Sequence, residues 1–198
     1  DWVVETPREV SSEVVLWTAP ELPAFAPEVR GQPVVIGGAM HAGRADRGLA
    51  SLEPMRTFGE PLGVIGGTLP YCGVQTAFDA SFPNDGQLCS YWKSLYVEQL
   101  TDPMLEALVA AAEARSSPQT MIVVQHFGGA VREMRPSETA FAMRDAPFLI
   151  NLMGTWSDPQ DSPRHIAWVR EVWHELSALS TSMVYLNYMG EEPVEGDA

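Results

Sequence analysis

The sequence is poor in lysine, in cysteine and in long apolar runs, and each scarcity narrows what the chain can be. Lys93 is the single lysine among 12 basic residues, against 26 acidic ones, and the formal net charge is -14. A surface this acidic repels phosphate backbones and anionic headgroups, so neither nucleic acid nor a membrane is expected as a partner. Two cysteines, Cys72 and Cys89, in 198 residues are too few for a disulfide framework. They read as free thiols packed as small hydrophobes. No apolar stretch approaches the ~20 residues that span a bilayer, and the N-terminus lacks the basic-then-apolar pattern of a leader. The chain opens on Asp1 instead of Met, which is compatible with a removed upstream segment. A cytoplasmic location is the expectation.

Several motifs are missing too. Gly37-Gly38 and the run from Gly63 to Gly67 have neither the three-glycine spacing of a dinucleotide loop nor a Walker lysine, and they read as strand ends and turns. No Gly-x-Ser-x-Gly elbow marks a serine hydrolase. His41, His126, His165 and His174 show no metal-ligand spacing, since His165 and His174 stand nine apart on one helix. They read as structural or solvated residues, and no metal is expected.

What is present is globular. Apolar residues make up 45% and charged residues 19% of the chain, and its length fits one domain at roughly 150 residues per domain. A chain this size buries about 70% of its unfolded surface. Strands are expected over residues 13–17, 33–40, 91–97, 121–127, 148–156 and 183–189, from their β-branched and aromatic content. The 33–40 strand does not alternate and is expected to be buried on both faces. Asp46 offers an N-cap for a helix carrying Leu49, Leu52 and Met55 and ending near Gly59. Residues 71–78 suggest a short helix or turn. Asp102-Pro103 starts a helix through Arg115, and Ser162-Pro163 starts another with Ile166, Val169, Trp173 and Leu176 on one face. The tail from Glu191 to Ala198 is expected to fray. Adjacent strands without an intervening helix exclude a purely parallel sheet. The order fits an α+β domain with an antiparallel or mixed sheet and helices over one face.

The most chemically suggestive strand is Tyr185-Leu186-Asn187-Tyr188, with two phenols and an amide in four residues. On a strand, Tyr185 and Asn187 face one way while Leu186 and Tyr188 face the other. Taken alone, such a strand is more often amphipathic with half-buried tyrosines.

Four segments in order resemble the berberine-bridge-enzyme-like FAD-linked oxidases over nearly the whole chain. They are Gln75-Thr76-Ala77-Phe78-Asp79 with Tyr91-Trp92-Lys93-Ser94; Phe127-Gly128-Gly129-Ala130-Val131 with Thr139-Ala140-Phe141 and Arg144-Asp145; Trp156 with His165-Ile166-Ala167-Trp168; and Tyr185-Leu186-Asn187-Tyr188. The resemblance implies the C-terminal substrate domain of these vanillyl-alcohol-oxidase-type flavoproteins, a largely antiparallel sheet of about seven strands that covers the reactive face of the flavin. It implies a single substrate-binding domain over 1–198, with the FAD-binding domain absent from this chain.

The implied chemistry is oxidation of an alcohol, amine or C–H bond by hydride transfer to FAD. By resemblance Tyr188 is the catalytic base, and Tyr185 and Asn187 lie near the flavin. A phenol near pKa 10 needs a cation or the flavin's field to act at neutral pH. Other relatives carry a glutamate base where this chain has Leu149, which cannot take a proton. Gln125 stands where some relatives have a tyrosine, and Asn151 shares a strand face with Leu149. Gln125, Leu149 and Asn151 are therefore expected against the substrate.

A chain without the FAD-binding half is expected to bind FAD weakly or not at all and to be inactive alone. Its implied partners are a small-molecule substrate and an FAD-binding domain or polypeptide. Two alternatives stay open, a standalone small-molecule binding module and a structural domain burying the old flavin face in a homodimer.

Overall fold

The structure, a computed structural model, describes residues 2–21, 25–77, 79, 86–141 and 143–180. Five strands, β1 (Val10–Thr18), β2 (Pro33–His41), β3 (Cys89–Val97), β4 (Met121–His126) and β5 (Phe148–Trp156), form one sheet in the order β2-β1-β4-β5-β3. Every neighbouring pair is antiparallel. Five helices follow in chain order: α1 (Ala45–Arg56), α2 (Tyr71–Gln75), α3 (Asp102–Glu113), α4 (Ala130–Glu133) and α5 (Ser162–Ser177). The α+β class is as expected. The sheet has five strands among the described residues where about seven were expected, and the strand expected over 183–189 lies outside them.

Pleating sorts the side chains into two faces. From the register, Leu16, Ile122, Ile150 and Leu95 point to one face, where they pack with Met104 and Leu108 of α3 and Val169, Val172 and Leu176 of α5. This is the main core, and α1 lies over the β2 end of the same face, where Gly37 meets Met55. All three long helices therefore cover one side, as the strand order suggested.

The opposite face carries two smaller clusters. One joins Trp17, Met121 and Val123 with Val15, Ile36 and Met153. The other joins Tyr96, Ala146 and Leu149 with Phe127, Phe141 and Met143, so the connection from β4 to β5 folds over one end of this face.

Four local expectations are corrected. β2 is not buried on both faces: among the described residues it is an edge strand paired only to β1, and Val35 is 71% exposed because α3 and α5 do not reach it. Asp46 does not cap α1. Arg44 holds the N-cap position, and Asp46 lies in the first turn at 3.1 Å from the Arg44 guanidinium, which pulls its carboxyl below the usual range. The buried stripe of α5 runs through His165, Val169, Val172 and Leu176, rotated from the expected Ile166, Val169, Trp173 and Leu176. Trp173 instead sits at the flank, donating its indole N–H to the Ser94 carbonyl at 3.0 Å and stacking under Lys93. Both thiols are free, but Cys72 is exposed and not packed.

Candidate functional site

Most segments that carry the resemblance hold the fold together. Arg144 is buried and donates to the Val131 carbonyl and the Thr139 hydroxyl, while its guanidinium lies against the Phe141 ring. One buried cation thus ties the 127–147 connection into a unit. Gly129 sits at φ +52, where a Cβ would fall 2.5 Å from the Arg8 carbonyl, so only glycine fits. Trp156 stacks on His165 at 4.9 Å and donates to the Ser162 hydroxyl, fixing the start of α5 to the end of β5. The hydroxyl of Ser116 lies 2.8 Å from Nδ1 of His165. Burial, with help from Arg164, holds the His165 imidazole below its ordinary value, so it is neutral at neutral pH. Among the described residues no group of three or more His, Cys, Asp or Glu is placed to hold a metal ion.

The chemistry of interest lies on the opposite face. Gln125 of β4 and Leu149 of β5 are direct cross-strand partners, and Asn151 follows two residues on, pointing the same way. The sequence-predicted trio is therefore brought together on adjacent strands. Leu149 is fully buried in the cluster with Tyr96 and Ala146, where it forms an apolar wall. Asn151 is 3% exposed, and its side-chain oxygen has no hydrogen-bond partner among the described residues. Tyr185, Asn187 and Tyr188 lie outside the described residues.

Two neighbours of the trio were missed. Ser94 stands directly opposite Asn151 on β3, is 0% exposed, and its hydroxyl also lacks a partner among the described residues. Glu13 stands directly opposite Gln125 on β1, and the Gln125 amide donates to its carboxylate at 3.4 Å. Ser94 belonged to a quoted motif and Glu13 heads the apolar run from residue 14 to 17, which were the only signals. Neither residue number hints at the strand order that brings them beside Gln125 and Asn151. Buried polar atoms without partners cost about 1–3 kcal/mol each, and both of these are closed to solvent.

No protein-family profile matches the sequence. An FAD-linked oxidoreductase of Dictyostelium discoideum is 24% identical over 163 residues, which is 81% of this chain and 36% of that protein. An aclacinomycin oxidase of Streptomyces galilaeus is 35% identical over 52 residues, 26% of this chain and 10% of that protein. Among solved structures, a chitooligosaccharide oxidase superposes with TM-score 0.73 at 19% identity, covering 97% of this chain and 42% of that one. A berberine-bridge-enzyme-like protein of Physcomitrella patens gives TM-score 0.72 at 16% identity, covering 95% and 41%. The chain spans about a third of the length of the curated relatives. Its structural neighbours are berberine-bridge-enzyme-like FAD oxidases, and the chain has the fold of the corresponding two-fifths of them.

Proposed function

We propose that this chain is the substrate-side portion of an FAD-linked oxidoreductase, and that the sheet face opposite the long helices covers the flavin and holds the substrate. The observation that carries this reading is the cross-strand grouping of Gln125, Leu149 and Asn151 on that face. The fold shared with FAD oxidases supports it.

The residues present fit the flavin on one side only. A sheet face with buried polar atoms suits a planar ring and its substrate, but the sequence has no glycine loop opening a helix to cradle a pyrophosphate. The phosphates are therefore held by polypeptide outside this chain. When bound, the flavin supplies the two-electron acceptor.

The chain's own residues bind and orient. Gln125 and Asn151 present amides to the substrate, and Leu149 excludes water along one wall. Tyr188 would take the substrate proton, and Tyr185 and Asn187 would contact the flavin, as the resemblance implies. The substrate class is an alcohol, amine or C–H compound. A hydroxyl of a sugar is favoured, since two structural neighbours are named as a chitooligosaccharide oxidase and a glycopeptide hexose oxidase.

The test is co-expression with an FAD-binding polypeptide encoded beside it. The purified pair is expected to show flavin absorbance and turnover, and Tyr188→Phe to lower kcat at least a hundredfold while flavin is retained. The chain alone is expected to be colourless. Stoichiometric flavin on the isolated chain, or a pair that never takes up flavin, would overturn the reading.

A further inference from the structure

On the side of the sheet that carries the long helices, one strand is left open. α5 lies over β3 and β5, α3 over β4 and α1 over β2, so among the described residues β1 has no helix of its own. Val14, Leu16, Val35 and Val124 point to this side. Val14 pairs with Val124 and Leu16 with Val35, and both Leu16 and Val124 border the main core. Val14 is 41% exposed although its strand is paired on both edges, and Val35 beside it is more open still. Apolar residues in the middle of a sheet are normally covered by a second layer.

The walls of this valley are apolar as well. On the α1 side Met55 lies over Gly37, the residue paired with Val14. On the other side, Met104, Leu108 and Ala111 form the buried row of α3. One residue further on turns a side chain by about 100° about a right-handed axis. That step carries Leu105, Val109 and Ala112 to the flank of α3 away from α5, which faces β1. Leu105 is 44% and Val109 53% exposed. With Glu106, Ala110 and Glu113 they line a shallow groove. The charged residues of α3 are Asp102, Glu106 and Glu113, so this wall carries carboxylates and no cation.

We propose that the valley between α1 and α3 receives an amphipathic helix of the FAD-binding polypeptide. Its apolar stripe lies on Val14, Val35, Leu105 and Val109, and its lysines or arginines stand against Glu106 and Glu113. The inference rests on the reading of the chain as one portion of an FAD-linked oxidoreductase. It adds a contact on the side of the sheet away from the proposed flavin face. The 12 residues of α3 span about 18 Å, room for a partner of roughly three turns. Charge decides against a second copy, which would set one acidic wall against another in a chain of net charge -14. A basic-flanked helix gains from the same wall. Polypeptide to supply it is at hand under that reading, since the chain covers 42% of the chitooligosaccharide oxidase and 36% of the Dictyostelium protein.

The experiment uses the full chain and two probes, a leucine–lysine model peptide that forms an amphipathic helix and the co-expressed FAD-binding polypeptide. The peptide is expected to bind saturably, and more weakly as salt rises. Val35→Glu with Val109→Glu changes only exposed positions and is expected to leave the circular dichroism spectrum intact. It is expected to weaken both probes at least tenfold, because a carboxylate cannot be buried there unpaired. Glu106→Lys with Glu113→Lys is expected to weaken the peptide comparably and to remove its salt dependence. Phe58→Ser with Ile65→Ser, in the exposed apolar stretch outside the valley, is expected to bind the peptide as the unaltered chain does. Absence of saturable peptide binding, or full affinity in the Val35 and Val109 variant, overturns the valley as a docking site. A dimer of the unaltered chain that this variant disperses assigns the valley to a second copy and overturns the proposal. A flavin-loaded pair indifferent to the valley variants sinks this inference alone. A pair that forms through the valley and takes up no flavin sinks the oxidoreductase reading alone.

Discussion

Asn151 and Ser94 face each other across β5 and β3 with buried oxygens that no described group satisfies. Groups kept for a ligand weaken the free protein, because desolvation is not offset until the ligand arrives. Asn151→Leu is therefore expected to stabilise the isolated chain by about 1 kcal/mol, read as a rise of about 2–4 °C in Tm. A loss of similar size would show that Asn151 is a satisfied structural residue. His165 gives a second residue-scale outcome. Its folded-state pKa lies below its ordinary 6.5, so the unfolded chain binds the extra proton first as pH falls. The stability it contributes is full above about pH 6.5 and is lost as pH drops through the folded value. Tm is expected to decline between pH 7 and 5.5, with a flatter profile in His165→Asn. His126, also lowered by burial and Arg132, contributes in the same direction. An identical profile in the variant would remove His165 from the account. The sequence reads these histidines as structural or solvated; it did not show that His165 is on the buried face of α5 at 2% exposure.

At the level of elements, β5 and α5 are joined by a close approach. A Cβ on Gly154 would lie 2.7 Å from Val169 Cγ2 and 2.9 Å from the Tyr91 carbonyl. Gly154→Ala must push the helix or the neighbouring strand away, and overpacking of this kind costs about 1–3 kcal/mol. The expected result is a Tm lower by several degrees with an unchanged circular dichroism spectrum. A neutral outcome would mean that α5 rides loosely on the sheet. Strand composition made β5 legible at its full length, Phe148–Trp156, because apolar residues stand on both of its faces, as suits a strand covered on both sides. The same logic failed for β2, whose apolar residues also stand on both faces. Its edge position follows from pairing, which local composition does not encode.

For the whole molecule, the stretch from Phe58 to Tyr71 is the outlier. Phe58 is 85% exposed, and Leu62, Val64, Ile65, Leu69 and Tyr71 are also open to solvent. Six solvent-open apolar side chains within fourteen residues make this segment prone to association. A chain with net charge -14 resists self-association at low salt, and screening removes that barrier. The isolated chain is expected to associate increasingly between 0.05 and 0.5 M salt, roughly as the Debye length shrinks. Phe58→Ser with Ile65→Ser is expected to abolish this in sedimentation velocity. A wild-type monomer at every salt concentration would count against the surface being adhesive.

The sequence by itself determined the class of fold, the positions of five strands and three long helices, and the family whose fold the structure shares. These depend on local periodicity, capping and turn chemistry, which a linear reading sees. Only the tertiary structure decided the strand order β2-β1-β4-β5-β3, and with it the companions of Gln125 and Asn151. Glu13 and Gln125 are 112 residues apart in the chain and meet because β1 inserts between β2 and β4. Pairing of that kind is settled by the packing of the whole sheet against α3 and α5, a long-range free energy that no single segment carries.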